Sequence, residues 1–371
     1  MPAVSVLMTV YNGEEFLAQA IGSILNQTFE DFEFVIVDNA STDTSLEIVE
    51  SFHDSRIRLV RNMMNLGQTK ALNIGLHQSR GEYIARIDAD DLALQQRLEM
   101  QVRFLEVHPE VAVIGSHVRL IDSEGQYLYT QLFPVMPHDV VWTSLFTTPV
   151  AHSAVVMRRD VVREVGGYDE NFSRRQDHAL WSKLINSGYL VTNLSETLVS
   201  IRAHEGRKCW TKGDMEGVLV TESSAVTRNN VKARCGIDMS PKVGEDMYWL
   251  LQHFEGASRS DKDLSRHQLL DALRVLYAVA HAFRIRTKLH SVMYIRMLIR
   301  IGLLRAGIPF FTRTVIVAKG LYLMCSPGMV SSVFLFARDR FIRNKAFDLI
   351  RLISMTRSTR RVHSTTNVLT E

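Results

Sequence analysis

Tyr83-Ile84-Ala85-Arg86-Ile87-Asp88-Ala89-Asp90-Asp91 is the stretch whose reading decides the fold. A short, mostly apolar run gives way to three carboxylates within four positions. Such a run predicts a buried strand over 83–87, and the acids fall where that strand must stop.

The same pattern recurs upstream. Val4–Val10 is valine-rich and turns polar at Tyr11-Asn12-Gly13, and Phe32–Val37 ends at Asp38. Arg56–Val60 predicts another strand. Between the strands, Phe16, Leu17, Ala20, Ile21, Ile24 and Leu25 recur at helical spacing within Glu14–Asn26. Ser41-Thr42-Asp43 offers capping residues for the start of a second helix. Asn65-Leu66-Gly67 predicts a turn before a helix over roughly 68–79, and a further helix over roughly 94–107 stops at Pro109. Strand–helix alternation with short links implies parallel strands and right-handed crossovers. Open sheets of this kind bind ligands at the carboxyl ends of their strands. That rule selects Thr9–Asn12, Asp38–Ser41 and Asp88–Asp91.

Downstream, Val111–Ile121 and Gln126–Phe133 flank the turn residues Asp122-Ser123-Glu124-Gly125 and predict a hairpin. Ala154–Met157 predicts a strand, Gly166-Gly167-Tyr168-Asp169 breaks the chain, and a helix over roughly 176–187 ends at Gly188. From about residue 214 the spacing turns helical, with Leu264–His281 and Val292–Leu304 amphipathic and rich in arginine. The fold class expected is α/β: a mixed, mainly parallel sheet flanked by helices, with a mostly helical C-terminal region. The expected domains are 1–213, a helical basic region 214–357 and a disordered tail 358–371.

The 371 residues suffice for one large or two smaller domains. Cys209, Cys235 and Cys325 are odd in number and far apart, which excludes a disulfide framework and fits a reducing cytoplasm. Residues 259–371 hold 20 of the 43 Lys and Arg but only 6 of the 40 Asp and Glu, which leaves them at about +14 and residues 1–258 at about −11. The basic part therefore expects an anionic partner, and peripheral membrane contact through 259–357 is the expectation. Aromatics are not interleaved with these arginines, so nucleic acid is not expected. Residues 308–337 are apolar, but Arg313, Lys319 and Pro327-Gly328 interrupt them; a span, a membrane-lying helical pair and a soluble core all remain open.

Three crowded carboxylates repel one another unless a cation sits among them, and oxygen-rich sites suit magnesium or manganese. The alternative is an acidic turn at a helix N-terminus. Asp38-Asn39-Ala40-Ser41-Thr42-Asp43 either reads a base and ribose or starts a capped helix.

These segments, taken in order, resemble the family 2 glycosyltransferases. The resemblance runs from Val4–Asn12 through Ser23–Thr28, Val35–Asp38, Asn65–Gly67, Ala71–Gly75 and Gly81–Ala85. It continues through Asp88–Asp91, Arg97–Glu99, Gly166–Asp169 and Asp177 with Leu180-Trp181, and reaches Arg202-Ala203-His204. Each motif is weak alone; the collinear set over about residues 3–205 is specific. It implies a GT-A fold and inverting transfer from a nucleotide-diphosphate sugar, a UDP-sugar first, to a hydroxyl of a saccharide or lipid-linked acceptor. The setting implied is surface polysaccharide or lipopolysaccharide assembly at the cytoplasmic face of the inner membrane.

Residue by residue, the resemblance puts Thr9, Tyr11, Asn12, Asp38 and Asn39 around the base and ribose. Lys70 and Asn73 approach the donor phosphates. Asp88 and Asp91 flank the donor, and a manganese or magnesium ion falls to Asp90 with Asp88 and His204. His152 falls near the acceptor side, and Asp177 takes the position of the general base. Four residues depart from the family pattern: Thr9 for a frequent proline, Asn39 for a second aspartate, Gln176 for the usual glutamate before the base, and Ala179 for a frequent aspartate. Gln176, Ala179 and Asn39 keep open a catalytically silent binding or scaffold subunit as the alternative. Nucleotidyl transfer is disfavoured, because Gly13-Glu14-Glu15 is acidic where a phosphate loop would be basic.

Overall fold

The computed structural model describes residues 1–204 and 214–252, with individual helical positions between 268 and 282. These belong to one compact unit, residues 1–289. The chain begins β1 (Val4–Val10), α1 (Glu14–Leu25), β2 (Phe32–Asp38), α2 (Ser45–Ser51), β3 (Ile57–Arg61), α3 (Gln68–Gln78), β4 (Tyr83–Arg86), β5 (Leu92–Ala93) and α4 (Arg97–Val107). It continues with β6 (Val111–Ile121), β7 (Tyr127–Gln131), α5 (Pro137–Ser144), a 3-10 turn at His152–Ala154, β8 (Val156–Arg158), α6 (Arg159–Glu164), α7 (Gln176–Asn186) and β9 (Leu190–Arg202). Two helices, α8 (Asp214–Cys235) and α9 (Pro241–Gln252), follow.

One sheet carries the strands in the order β3-β2-β1-β4-β8-β6-β9-β5, with β7 added to β6. The β1, β2, β3 and β4 pairings are parallel, as is β6 with β9, while β5, β7 and β8 run the other way. The sheet is thus mixed and mainly parallel, with helices on both faces.

Alternation along β1 explains why apolar residues lie on both of its faces. Val4, Val6, Met8 and Val10 enter one core with Leu17 and Ile21 of α1, Val49 of α2 and Leu98 and Val102 of α4. Leu7 enters the opposite core with Ala71 and Leu72 of α3, Val140 of α5, Val162 of α6 and Trp181 of α7. A strand covered on both faces reads as a continuous hydrophobic run.

Several boundaries differ from those expected. Helix α2 starts at Ser45, because Ser41 and Thr42 are spent elsewhere: Ser41 Oγ accepts from Asn12 N, and Thr42 N donates to Asn12 Oδ1. Asp43 Oδ1 instead takes the Ser45 N–H. Helix α4 starts at Arg97, since Leu92–Ala93 pairs with β9. The expected strand over Ala154–Met157 divides into the 3-10 turn and β8. Strand β9 carries polar residues at Ser195-Glu196-Thr197, and its register against β6 shifts, so no clean alternation marks it.

Helices α8 and α9 begin after the expected boundary at 213, and α8 packs on α7 through Asn230, which donates to Ser182 Oγ and Ser144 O. Among the described residues, no helix is long and apolar enough to cross a membrane. Apart from the positions at 268–282, the basic segment 259–357 lies outside the described residues, as do 308–337 and the tail 358–371.

Candidate functional site

The strand ends of β1, β2 and β4 open into one cavity of about 1090 Å³. Thr9, Tyr11, Asn12, Asn39, Asp88, Asp90, His152, Asp177 and His204 all line it. Asp38, Lys70, Asn73 and Asp91 do not.

On the β1–β2 side, Asn12 adopts φ 51° and its side chain ties two loops together through Thr42 N at 2.8 Å. Asn39 is buried, and its amide is used in the fold. Its Oδ1 accepts from Asn62 Nδ2 at 2.9 Å and Leu66 N at 3.1 Å, while its Nδ2 donates to Asn65 Oδ1 at 2.8 Å. An aspartate here would lack the donor that Asn65 needs. Asp38 sits behind this wall, buried, accepting from Ser41 N at 3.2 Å. Tyr11 is 45% exposed and presents a free aromatic face.

On the β4 side, ligand oxygens of Asp88, Asp90 and Asp91 lie within 4.8 Å of one another. Each is held by a different partner. Arg86, buried within β4, pairs with Asp88 Oδ1, and Ser153 Oγ donates to Asp88 Oδ2 at 2.9 Å. Asp90 Oδ2 lies 2.9 Å from His204 Nε2, whose ring packs 5.0 Å from that of Phe16. Asp91 is fully buried and accepts from Arg202 N at 3.0 Å. Two carboxylates and an imidazole thus face the cavity together, a donor set of hard oxygens with one nitrogen that suits manganese or magnesium. Arg86 pairs with Asp88, and the buried Arg97 and Arg202 lie against Asp91, while Asp88 and Asp90 keep their place at the cavity.

Asp177 stands across the cavity in the first turn of α7. Burial raises its pKa above the ordinary aspartate range, against the lowering effects of Arg175, the His178 N–H and Arg86. Beside it, His152 Nε2 and the Tyr168 hydroxyl lie 2.8 Å apart. Burial, with Arg86 nearby, keeps His152 well below its ordinary pKa and therefore neutral. Burial pushes the Tyr168 hydroxyl up, so it stays protonated and shares this hydrogen bond with the neutral imidazole. Asn73 holds this loop: its Nδ2 donates to Tyr168 O at 2.9 Å and its Oδ1 accepts from Tyr168 N at 3.0 Å. Lys70 is exposed on α3.

Sequence reasoning missed several residues. Arg86 was visible as a charge inside an apolar strand, a signal of a buried ion pair. Tyr129, Phe133, Leu219 and Tyr248 line the cavity from β7, the segment after it, α8 and α9. Nothing in their local sequence marks them, because they reach the cavity only through tertiary packing.

A mainly parallel sheet thus gathers acids at its strand ends, across one cavity from the half-buried Asp177. Comparison with known proteins makes the class specific. Residues 5–166 match the family model of Glycosyl transferase family 2. The amylovoran biosynthesis glycosyltransferase AmsE of Erwinia amylovora is 34% identical over 203 residues, 54% of this chain and 76% of that protein. An uncharacterized glycosyltransferase of Haemophilus influenzae is 33% identical over 214 residues, 55% of this chain and 66% of its own length. The crystal structure of S. aureus TarS residues 1–349 superposes with a TM-score of 0.53 at 18% identity, covering 85% of this chain and 88% of that one. The chain belongs to glycosyltransferase family 2, and its fold is GT-A-like.

Proposed function

We propose that the chain is an inverting, metal-dependent glycosyltransferase that moves a sugar from a nucleotide-diphosphate donor, a UDP-sugar first, to a hydroxyl of a saccharide or lipid-linked acceptor. The observation that carries this is the sharing of one cavity by Asp88, Asp90, His204 and Asp177. TarS was crystallised with UDP-GlcNAc, and AmsE serves amylovoran biosynthesis; both support a nucleotide-sugar donor and a role in surface polysaccharide. The basic segment 259–357 supports work at the cytoplasmic face of a membrane, against anionic lipid.

In this reading Tyr11, with Thr9, Asn12 and Asn39 behind it, receives the base and ribose. Asp38 stabilises that wall from within. Arg86 and Ser153 orient Asp88 toward the donor, and Asp90 and His204 would hold manganese or magnesium. The bound ion would neutralise charge on the departing diphosphate. Asp177 accepts the proton of the acceptor hydroxyl as that oxygen bonds to the anomeric carbon. The bond from the anomeric carbon to the diphosphate oxygen breaks, and its electron pair leaves with the diphosphate. One in-line displacement inverts the anomeric centre. His152, neutral and bonded to Tyr168, flanks the acceptor hydroxyl without competing for its proton.

A panel of nucleotide sugars with purified protein and manganese, read by thermal shift, identifies the donor, since a ligand of the folded state raises Tm. Asp177→Asn then keeps donor binding and loses transfer by about 10²- to 10⁴-fold. Retained transfer in that variant would remove Asp177 as the base. Donor binding with no turnover by the unmodified chain, across a panel of acceptors, would favour a silent binding subunit.

A further inference from the structure

Helix α7, which carries Asp177, has no side-chain cap from its own N-cap residue Arg175. The residues just before it, 173–175, are held instead by a side chain 47 to 49 residues downstream. Glu222 of α8 accepts from Ser173 N at 2.8 Å, Ser173 Oγ at 2.9 Å, Arg174 N at 2.8 Å and Arg175 N at 2.9 Å. One carboxylate thus fixes three consecutive backbone N–H groups and a hydroxyl, immediately before the turn that holds Asp177. Ser223 adds to the clamp by accepting from Arg175 Nε at 2.7 Å. The Arg175 guanidinium also lies 5.8 Å over the Tyr248 ring of α9. Leu219, one turn before Glu222, and Tyr248 both line the cavity. The loop that delivers Asp177 is therefore held by the C-terminal helices, beyond residues 5–166 that match the family model.

We propose that Glu222 is a positioning residue for sugar transfer, which sets the place of Asp177 against the acceptor hydroxyl by clamping residues 173–175. The inference rests on Asp177 as the general base. Geometry drives it: an ionised carboxylate is acceptor-only and suits four converging donors, whereas a glutamine would turn an N–H₂ toward backbone N–H groups. Misplacing a reacting group by about 1 Å costs on the order of 10²-fold in rate. The donor-side residues come from β1, β2, β4 and His204, which make none of the clamp's hydrogen bonds, so donor affinity should follow far less than transfer.

The test compares full-length Glu222→Gln, Glu222→Asp and Asp177→Asn with Glu216→Gln, an exposed charge removal on the same helix. Donor affinity by calorimetry, kcat, acceptor KM and the pH profile of kcat are measured for each. Glu222→Gln is expected to bind donor within about twofold of the unmodified chain and to lose about 10- to 100-fold in kcat, with a displaced acid limb. Glu222→Asp, which keeps the charge, should recover part of that loss, and Glu216→Gln should change nothing. Preserved donor binding shows that each variant is folded. A purely structural cap would instead lower Tm and leave kcat and its acid limb unchanged. That result, in a protein where Asp177→Asn abolishes transfer, overturns the role of Glu222 and leaves the base assignment standing. Transfer that survives Asp177→Asn overturns both.

Discussion

The two ends of the same parallel strands treat buried charge in opposite ways. At the amino ends, Glu33 Oε1 accepts from Ser5 Oγ at 2.6 Å and Arg80 N at 2.7 Å, and its Oε2 accepts from Arg58 Nη1 at 2.6 Å. Gly81 packs against this cluster so closely that a Cβ there would lie 2.4 Å from Ser5 N. At the carboxyl ends, three aspartates converge within 4.8 Å beside a cavity, with buried Arg86, Arg97 and Arg202 close by. The first network is closed: each Glu33 oxygen has a donor, and the charge has its counter-ion. The second crowds three carboxylates together, and two of them, Asp88 and Asp90, border the cavity. A buried acid whose partners are complete holds the fold, while acids gathered against their own repulsion mark a place for a ligand.

That contrast is broken most sharply by exchanging the losses. Asp90→Ala removes a cavity-facing carboxylate and the partner of His204. Transfer should fall by about 10³-fold or more, since the bound cation's charge stabilisation is worth several kcal/mol. Tm in the absence of metal should hold steady or rise, because repulsion is relieved. Initial rates across a manganese titration, with thermal denaturation in chelator, check both halves. Unchanged activity would remove the metal site.

Glu33→Gln should do the reverse. Burial works to raise the Glu33 pKa, but hydrogen bonds from Ser5, Arg58 and Arg80 N and the Arg58 charge outweigh it and hold it below the ordinary value. A carboxylate with a depressed folded pKa contributes stability that is present above its unfolded pKa of 4.5 and is lost as pH falls through the folded value. The variant should therefore lose about 2 kcal/mol at neutral pH, with the deficit closing in acid, while kcat stays within twofold. Urea denaturation at neutral pH and at about pH 3 measures it.

Asn39→Asp sits between the two regimes. It faces the cavity, yet its amide is closed into the turn at Asn65. A carboxylate oxygen would meet Asn65 Oδ1, which already accepts from Gly67 N at 2.9 Å. A loss of about 1 kcal/mol and a several-fold rise in donor KM are expected. A lowered donor KM would mean that position 39 reads the base directly.

What could be read in the sequence follows the same division. Strand-end positions were legible because topology alone places them: an apolar run ending in polar residues forces Thr9–Asn12, Asp38 and Asp88–Asp91 to one edge of a parallel sheet. The partners that decide each residue's role were not. Asp38 and Asp90 look alike in sequence, but one turns inward to Ser41 N and the other meets His204 across 114 positions. Asp91 is claimed by the backbone of Arg202 on β9, a strand whose irregular register hides its period. Glu222 carries no local signal at all, since its function exists only where α8 crosses the start of α7.

The smallest effect tests the open end from inside. The pKa of Asp177 is raised, mainly by burial, so its ionised form is less stable in the folded chain than in the unfolded one. The sign is opposite to that of Glu33: stability is highest below the unfolded pKa of 3.8, where both states are protonated, and falls as pH rises through the folded value. Asp177→Asn removes the cost. It should stabilise the chain at neutral pH by about 0.5–1 kcal/mol, kept small because one side of the carboxylate still meets solvent, and the gain should vanish below about pH 3.8. The same raised pKa places the acid limb of kcat/KM above the range of a free aspartate, since the base must ionise before it can take a proton. A destabilised Asp177→Asn at neutral pH would mean that this carboxylate is held by closed partners, as Glu33 is, and that the base of the reaction lies elsewhere in the cavity.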